Sequence, residues 1–211
     1  MDDEAIILVG AALIVIIVIG ALIMRSYVSK KRITVKHITF VGIMSAMGTA
    51  LALATFAPIG PNINIDFSHI GTFITALVLG PFYGMIAGAL IGFYPMIIFG
   101  NPLVPVGKAM TGLFIGLLIT RARLVIGVER GETMRLLQIV PTTLVGWIPE
   151  ALFTLVTLGI LGIPVLFPMP LVEGILVKGV GEIILLGVLC EFLFASKALR
   201  HRLASVAGEP T

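Results

Sequence analysis

The sequence predicts an all-α membrane protein in which six helices form one bundle and a further transmembrane helix precedes them. Three observations lead there. Hydrophobic residues make up 58% of the chain and charged residues only 12%, a balance foreign to soluble domains. Several stretches of about 20 residues carry almost no charge, the length a helix needs to cross the hydrocarbon core. The Lys and Arg residues cluster between alternate stretches, as they do when one set of loops stays on the cytoplasmic side.

The first span runs from Ala5 to Met24. Asp2, Asp3 and Glu4 precede it, and Arg25, Lys30, Lys31 and Arg32 follow. An acidic start and a basic end reverse the charge order of a cleaved signal peptide, so residues 1–32 read as a retained anchor with a basic cytoplasmic linker. Further spans are expected at Val35–Ala57, Phe67–Leu79, Phe82–Phe99, Val104–Thr120, Leu136–Leu161 and Leu171–Ser196. Residues 33–196 then form a six-helix membrane domain and 197–211 a cytoplasmic tail. With the N-terminus outside and the C-terminus cytoplasmic, every Lys and Arg except Lys108 and Lys178 falls inside, including Arg121, Arg123, Arg130 and Arg135. The expected location is therefore the cell membrane, crossed several times.

Phe67–Leu79 is short for a bilayer and ends at Gly80-Pro81, so neighbours rather than lipid are expected to cover it. The segment before it, "PIGPNINI" (Pro58–Ile65), combines Pro, Gly and Asn as an ordered outer loop would. "IPVLFPMP" (Ile163–Pro170) is a second outer loop, too apolar to be merely solvated. Cys190 is the single cysteine, which excludes an internal disulfide.

Small residues recur at helical spacing in three places. Gly42, Ala46, Ala50 and Ala54 share a face of the second span, Gly84, Gly88 and Gly92 a face of the fourth, and Gly112 with Gly116 a face of the fifth. Such faces let helices approach closely in lipid. The glycine stripes read as packing within the bundle, whereas the alanine stripe is open to a docking role between proteins.

Asp66, His69, Lys108, Glu150, Glu173, Lys178 and Glu182 lie in or beside the spans, where each is costly unless paired or hydrated. Taken one by one, Lys178 with Glu182 and Lys108 with Glu150 are natural ion pairs. Gathered toward one side, the set reads instead as a polar pocket opening outward. Lys178 and Glu182 are one helical turn apart, and Trp147 and Glu150 share a face in the same way. His69 can cap its helix or meet a ligand. Asp66 and Ser68 start the same short helix and help shape a lid.

Known catalytic signatures are missing. The chain has no HExxH, GxSxG or CxxC, and its Gly107-Lys108 has neither the glycine spacing nor the hydroxyl of a phosphate loop. It is read as no enzyme, with no metal site and no nucleic-acid partner.

The stretch "NIDFSHIGTFITALVLGPFYGMIAGALIGF", Asn64–Phe93, resembles the loop, short helix, Gly-Pro turn and glycine-rich helix of the substrate-binding S components of energy-coupling factor (ECF) vitamin transporters. The likeness extends in helix order over about Ile33–Ser196. It implies a six-helix S-component-like bundle whose Gly42, Ala46 and Ala50 dock on a transmembrane T component, while ATPase subunits bind the ATP. It also implies a vitamin site under the loop before Asp66. The candidate substrate-binding residues are Asn64, Asp66, His69, Tyr94, Asn101, Lys108, Trp147, Glu150, Lys178 and Glu182. Their mixed charge suits a zwitterionic or heteroaromatic ligand such as a flavin, a thiamine-like compound or a pteridine. The additional N-terminal helix departs from the family. Two other readings stand beside this one, an ion-coupled secondary transporter with the carboxylates as proton sites and a structural membrane subunit without ligand.

Overall fold

The computed structural model describes residues 33–55, 57–60, 63–120, 138–163 and 167–207. The expected anchor over 1–32 and the basic segment Arg121–Arg135 lie outside them. Among the described residues the chain is helical apart from one small hairpin. In order, the elements are α1 (Val35–Thr55), β1 (Ala57–Gly60), β2 (Ile63–Ile65), α2 (His69–Leu79), α3 (Pro81–Phe99) and α4 (Val104–Thr120). Then follow α5 (Ile139–Thr154), prolonged by a π-helical segment Leu155–Leu161, α6 (Met169–Ala195) and α7 (Lys197–Ala207).

Among the described residues three helical stretches are long and apolar enough to cross a membrane: α1, α3, and α5 with its π-helical extension. α6 is longer, at 27 residues, but carries Glu173, Lys178, Glu182 and Glu191. α2 has 11 residues and, at about 1.5 Å of rise per residue, falls far short of a hydrocarbon core about 30 Å thick. Its burial explains how it is tolerated. Every residue from His69 to Leu79 is buried, with α1, α3, α4 and α6 packed around it. Phe73 and Leu77 of α2 meet Ile115 and Ile119 of α4 and Ile183 and Leu186 of α6 in the core.

Local chemistry sets the ends of α3. Gly80, at φ 86°, turns the chain so that Pro81 can open the helix, where a missing N–H costs nothing. Gly100, at φ 63°, closes it in the left-handed conformation, its N–H bonded to the Met96 carbonyl.

The glycine stripes are internal packing, as their spacing predicts. A side chain at Gly84 would strike the Gly112 carbonyl, and one at Gly88 the Lys108 carbonyl; Gly92 faces the Pro105 backbone and Gly116 that of Pro81. The α3–α4 seam is thus backbone against backbone. On α1 the pattern divides. His37, Val41, Ser45, Gly48 and Ala52 face the bundle, while Gly42, Ala46, Ala50 and Ala54 are exposed, with nothing within 4 Å of the position a Gly42 side chain would take.

Three features differ from expectation. In the first expected outer loop, Ala57–Gly60 and Ile63–Ile65 pair as antiparallel strands, Ala57 with Ile65 and Pro58 with Asn64, with an irregularity between Pro58 and Gly60. The 197–207 part of the expected tail is a helix laid on the bundle. There Arg200 is buried and donates to the Phe194 carbonyl at 2.6 Å, while Leu203 and Val206 pack on the core. Finally, the buried Glu191 accepts the Ile139 and Val140 N–H groups at 3.0 and 3.1 Å, so α6 supplies the cap for the start of α5.

Candidate functional site

The C-terminal ends of α3 and α5 and the N-terminal ends of α2, α4 and α6 lie together at one end of the bundle, around a cavity of about 320 Å³. Asp66, His69, Asn101, Lys108, Trp147, Glu150, Lys178 and Glu182 line it, so most of the sequence-predicted set is brought together. One member is placed differently: Tyr94 is half-buried on α3 away from the lining. The backbone of Asn64 sits in β2, paired to Pro58. Glu173 is exposed and also stands apart.

The link from β2 into α2 organises the charges. Asp66 accepts the Ser68 N–H at 2.8 Å through Oδ1 and the Lys108 ammonium at 3.0 Å through Oδ2. Lys108, almost fully buried, also donates to Ser68 Oγ at 2.7 Å. Burial alone would raise the Asp66 carboxyl; the Lys108 ammonium, together with the Ser68 hydrogen bonds, outweighs it and holds Asp66 below the ordinary carboxylate range. Lys108 therefore pairs with Asp66 and not with Glu150, correcting the pairing read from sequence. The distance along the chain hid it, because only the hairpin brings residue 66 over α4.

A second pair joins α6 to the same link. Lys178 and Glu182 meet at 2.9 Å, and Glu182 Oε1 accepts the Asp66 N–H at 2.6 Å. The remaining carboxylate, Glu150 of α5, receives the Thr111 hydroxyl and faces His69 Nε2 at 3.6 Å. Ser68, not His69, occupies the cap position of α2, and its side chain makes no capping bond; His69 points its ring toward Glu150. Its Nδ1 is buried and has no hydrogen-bond partner among the described residues.

Two glycines shape this centre. A side chain at Gly107 would press on Glu150 Cγ at 3.2 Å, and one at Gly179 would reach Trp147 Cζ2 at 2.7 Å. Trp147 therefore lies tight against α6 with its exposed side toward the cavity. The wall is otherwise apolar and aromatic, with Phe99, Phe153, Phe167, Ile175 and Leu176. These residues carry no signal in a hydrophobic sequence. Neither did Thr111, Thr154 and Thr157, the last of which lies in the π-helical segment. Pro95 and Pro149 sit inside α3 and α5 near the cavity, where each leaves a helical carbonyl without its usual partner.

Polar groups that fix orientation within an apolar, aromatic wall describe a small-molecule site, and the volume is at the lower end of the roughly 300–1,000 Å³ typical of one. Among the described residues no group of three His, Cys, Asp or Glu is arranged to hold a metal ion. Set against protein-family models, curated proteins and solved structures, the chain returns no match.

Proposed function

We propose that the protein is a membrane-embedded binding subunit that captures a small water-soluble, vitamin-like solute and delivers it through an ATP-driven partner complex. The observation that carries this reading is the cavity. Side chains from α4, α5, α6 and the β2–α2 link place charge and hydrogen-bonding capacity around space large enough for a solute. A subunit with only a structural task would fill that space with side chains, since costly buried charges otherwise go unused. The exposed Gly42, Ala46 and Ala50 face supports the second half of the proposal. Among the described residues nothing covers it, which suits the approach of a transmembrane T component, while the ATPase subunits of such a complex supply the energy. In the proposed topology the cavity end faces outward and the α7 end faces the cytoplasm.

Mass spectrometry of the molecule that remains with the detergent-extracted full chain tests the reading. A heteroaromatic solute released on unfolding is the expected result. No bound small molecule, together with no uptake when the partner subunits are present, would overturn it.

A further inference from the structure

Among the described residues, six ionisable side chains line the cavity: Asp66, His69, Lys108, Glu150, Lys178 and Glu182. Two carboxylates have ammonium partners, Asp66 with Lys108 at 3.0 Å and Glu182 with Lys178 at 2.9 Å. Glu150 has none. Its neighbours are the Thr111 hydroxyl and the His69 ring, which approaches only to 3.6 Å.

A protonated His69 would balance the count, but the geometry opposes it. Both ring nitrogens of an imidazolium are donors, and Nδ1 is buried with no acceptor among the described residues. A buried charged donor left unpaired is costly. The neutral tautomer with its proton on Nε2 faces Glu150 and leaves Nδ1 as an acceptor. The lining then holds three carboxylates against two ammonium groups. Without a solute, a buried carboxylate with no ammonium partner is met by a proton, and a cationic solute can take that proton's place.

Trp147 stands on the same face of α5, three residues before Glu150, and is held against α6 at Gly179. An indole face beside a carboxylate is the pairing that attracts an organic cation, because the ring quadrupole and the anion favour the same sign of charge. From this we infer that the cavity selects an organic cation, with an aromatic ring against Trp147 and its positive charge beside Glu150. The inference rests on the cavity being a solute site and adds the charge of the solute.

Three compounds on one ring separate charge from shape: 1-methylnicotinamide is a cation, nicotinamide is neutral and nicotinate is an anion. Calorimetric titration of the ligand-stripped full chain should give the cation an affinity at least about ten-fold above the other two. Trp147 is the single tryptophan, so quenching of its fluorescence reports binding at the proposed place. Glu150→Gln should bring the three affinities together. Trp147→Leu, which leaves every charge in place, should weaken the cation about ten-fold and serves if the first variant does not fold. Nicotinate or nicotinamide binding as well as or better than the cation overturns the inference, as does failure of the cation to bind. A neutral or anionic molecule bound to the extracted protein would overturn it too, while leaving solute capture standing; absence of any bound molecule and of partner-dependent uptake would remove both.

Discussion

The seam between α3 and α4 and the outward face of α1 both carry small residues four apart, yet the first is sealed and the second open. At the seam the glycines meet backbone: Gly84 faces the Gly112 carbonyl and Gly88 the Lys108 carbonyl. On α1, Gly42, Ala46 and Ala50 are exposed. The spacing is the same, so it cannot decide the use. What distinguishes them is residue type and partner. Close backbone approach needs a glycine at each crossing point, and the seam supplies one every time, Gly84 with Gly112, Gly88 against Lys108, Gly92 against Pro105 and Gly116 against Pro81, whereas among the described residues nothing comes within 4 Å of the side-chain position of Gly42 on α1.

The contrast can be broken most sharply at the seam. Gly112→Val places branched carbons against the Gly84 backbone, which has no side chain to move aside. The expected loss is about 3 kcal/mol or more, enough to prevent accumulation of folded protein, measured by thermal unfolding in detergent. Stability equal to the parent would show that the helices separate freely and that the seam is not a seam.

An intermediate case lies at Gly179, where the neighbour is the Trp147 side chain. Gly179→Ala should cost at most about 1 kcal/mol, because the indole can shift and alanine favours the helix. The shift itself should appear in the Trp147 emission spectrum and in weaker ligand binding. An unmoved spectrum with full affinity would sink the claim that Gly179 positions the ring.

The smallest effect on the isolated protein is expected at the open face. Ala46→Leu or Ala50→Leu should change stability by no more than about 0.5 kcal/mol, as exposed substitutions usually do. Copurification with the proposed T component should nevertheless fall. Unfolding of these variants would mean that the face is covered in the folded chain; undiminished partner recovery would remove it from the docking surface.

Much of this architecture is legible in the sequence because lipid enforces it. The span expected at Val104–Thr120 coincides with α4, and Gly80-Pro81 marks the α2–α3 turn as turn chemistry requires. The polar cavity lining is legible for the same reason, since a charge in an apolar run has few permissible places. Pairing is not. Lys108 chooses Asp66 over Glu150 because a hairpin of a few residues, too short to show alternation, carries Asp66 across the bundle. Glu191 escaped notice because periodicity within α6 does not reveal the helix whose first N–H groups it meets. The aromatic wall of Phe99, Phe153 and Phe167 was hidden by abundance, apolar residues being the background against which a signal is sought.

The Glu191 contact has a consequence for biogenesis. α5 leaves the ribosome well before residue 191 does, so its first N–H groups enter the membrane with their eventual acceptor still unsynthesised. Until then water or lipid headgroups at that end must satisfy them. The arrival of α6 therefore exchanges those temporary partners for the Glu191 carboxylate and ties the start of α5 to a part of the chain made about fifty residues later.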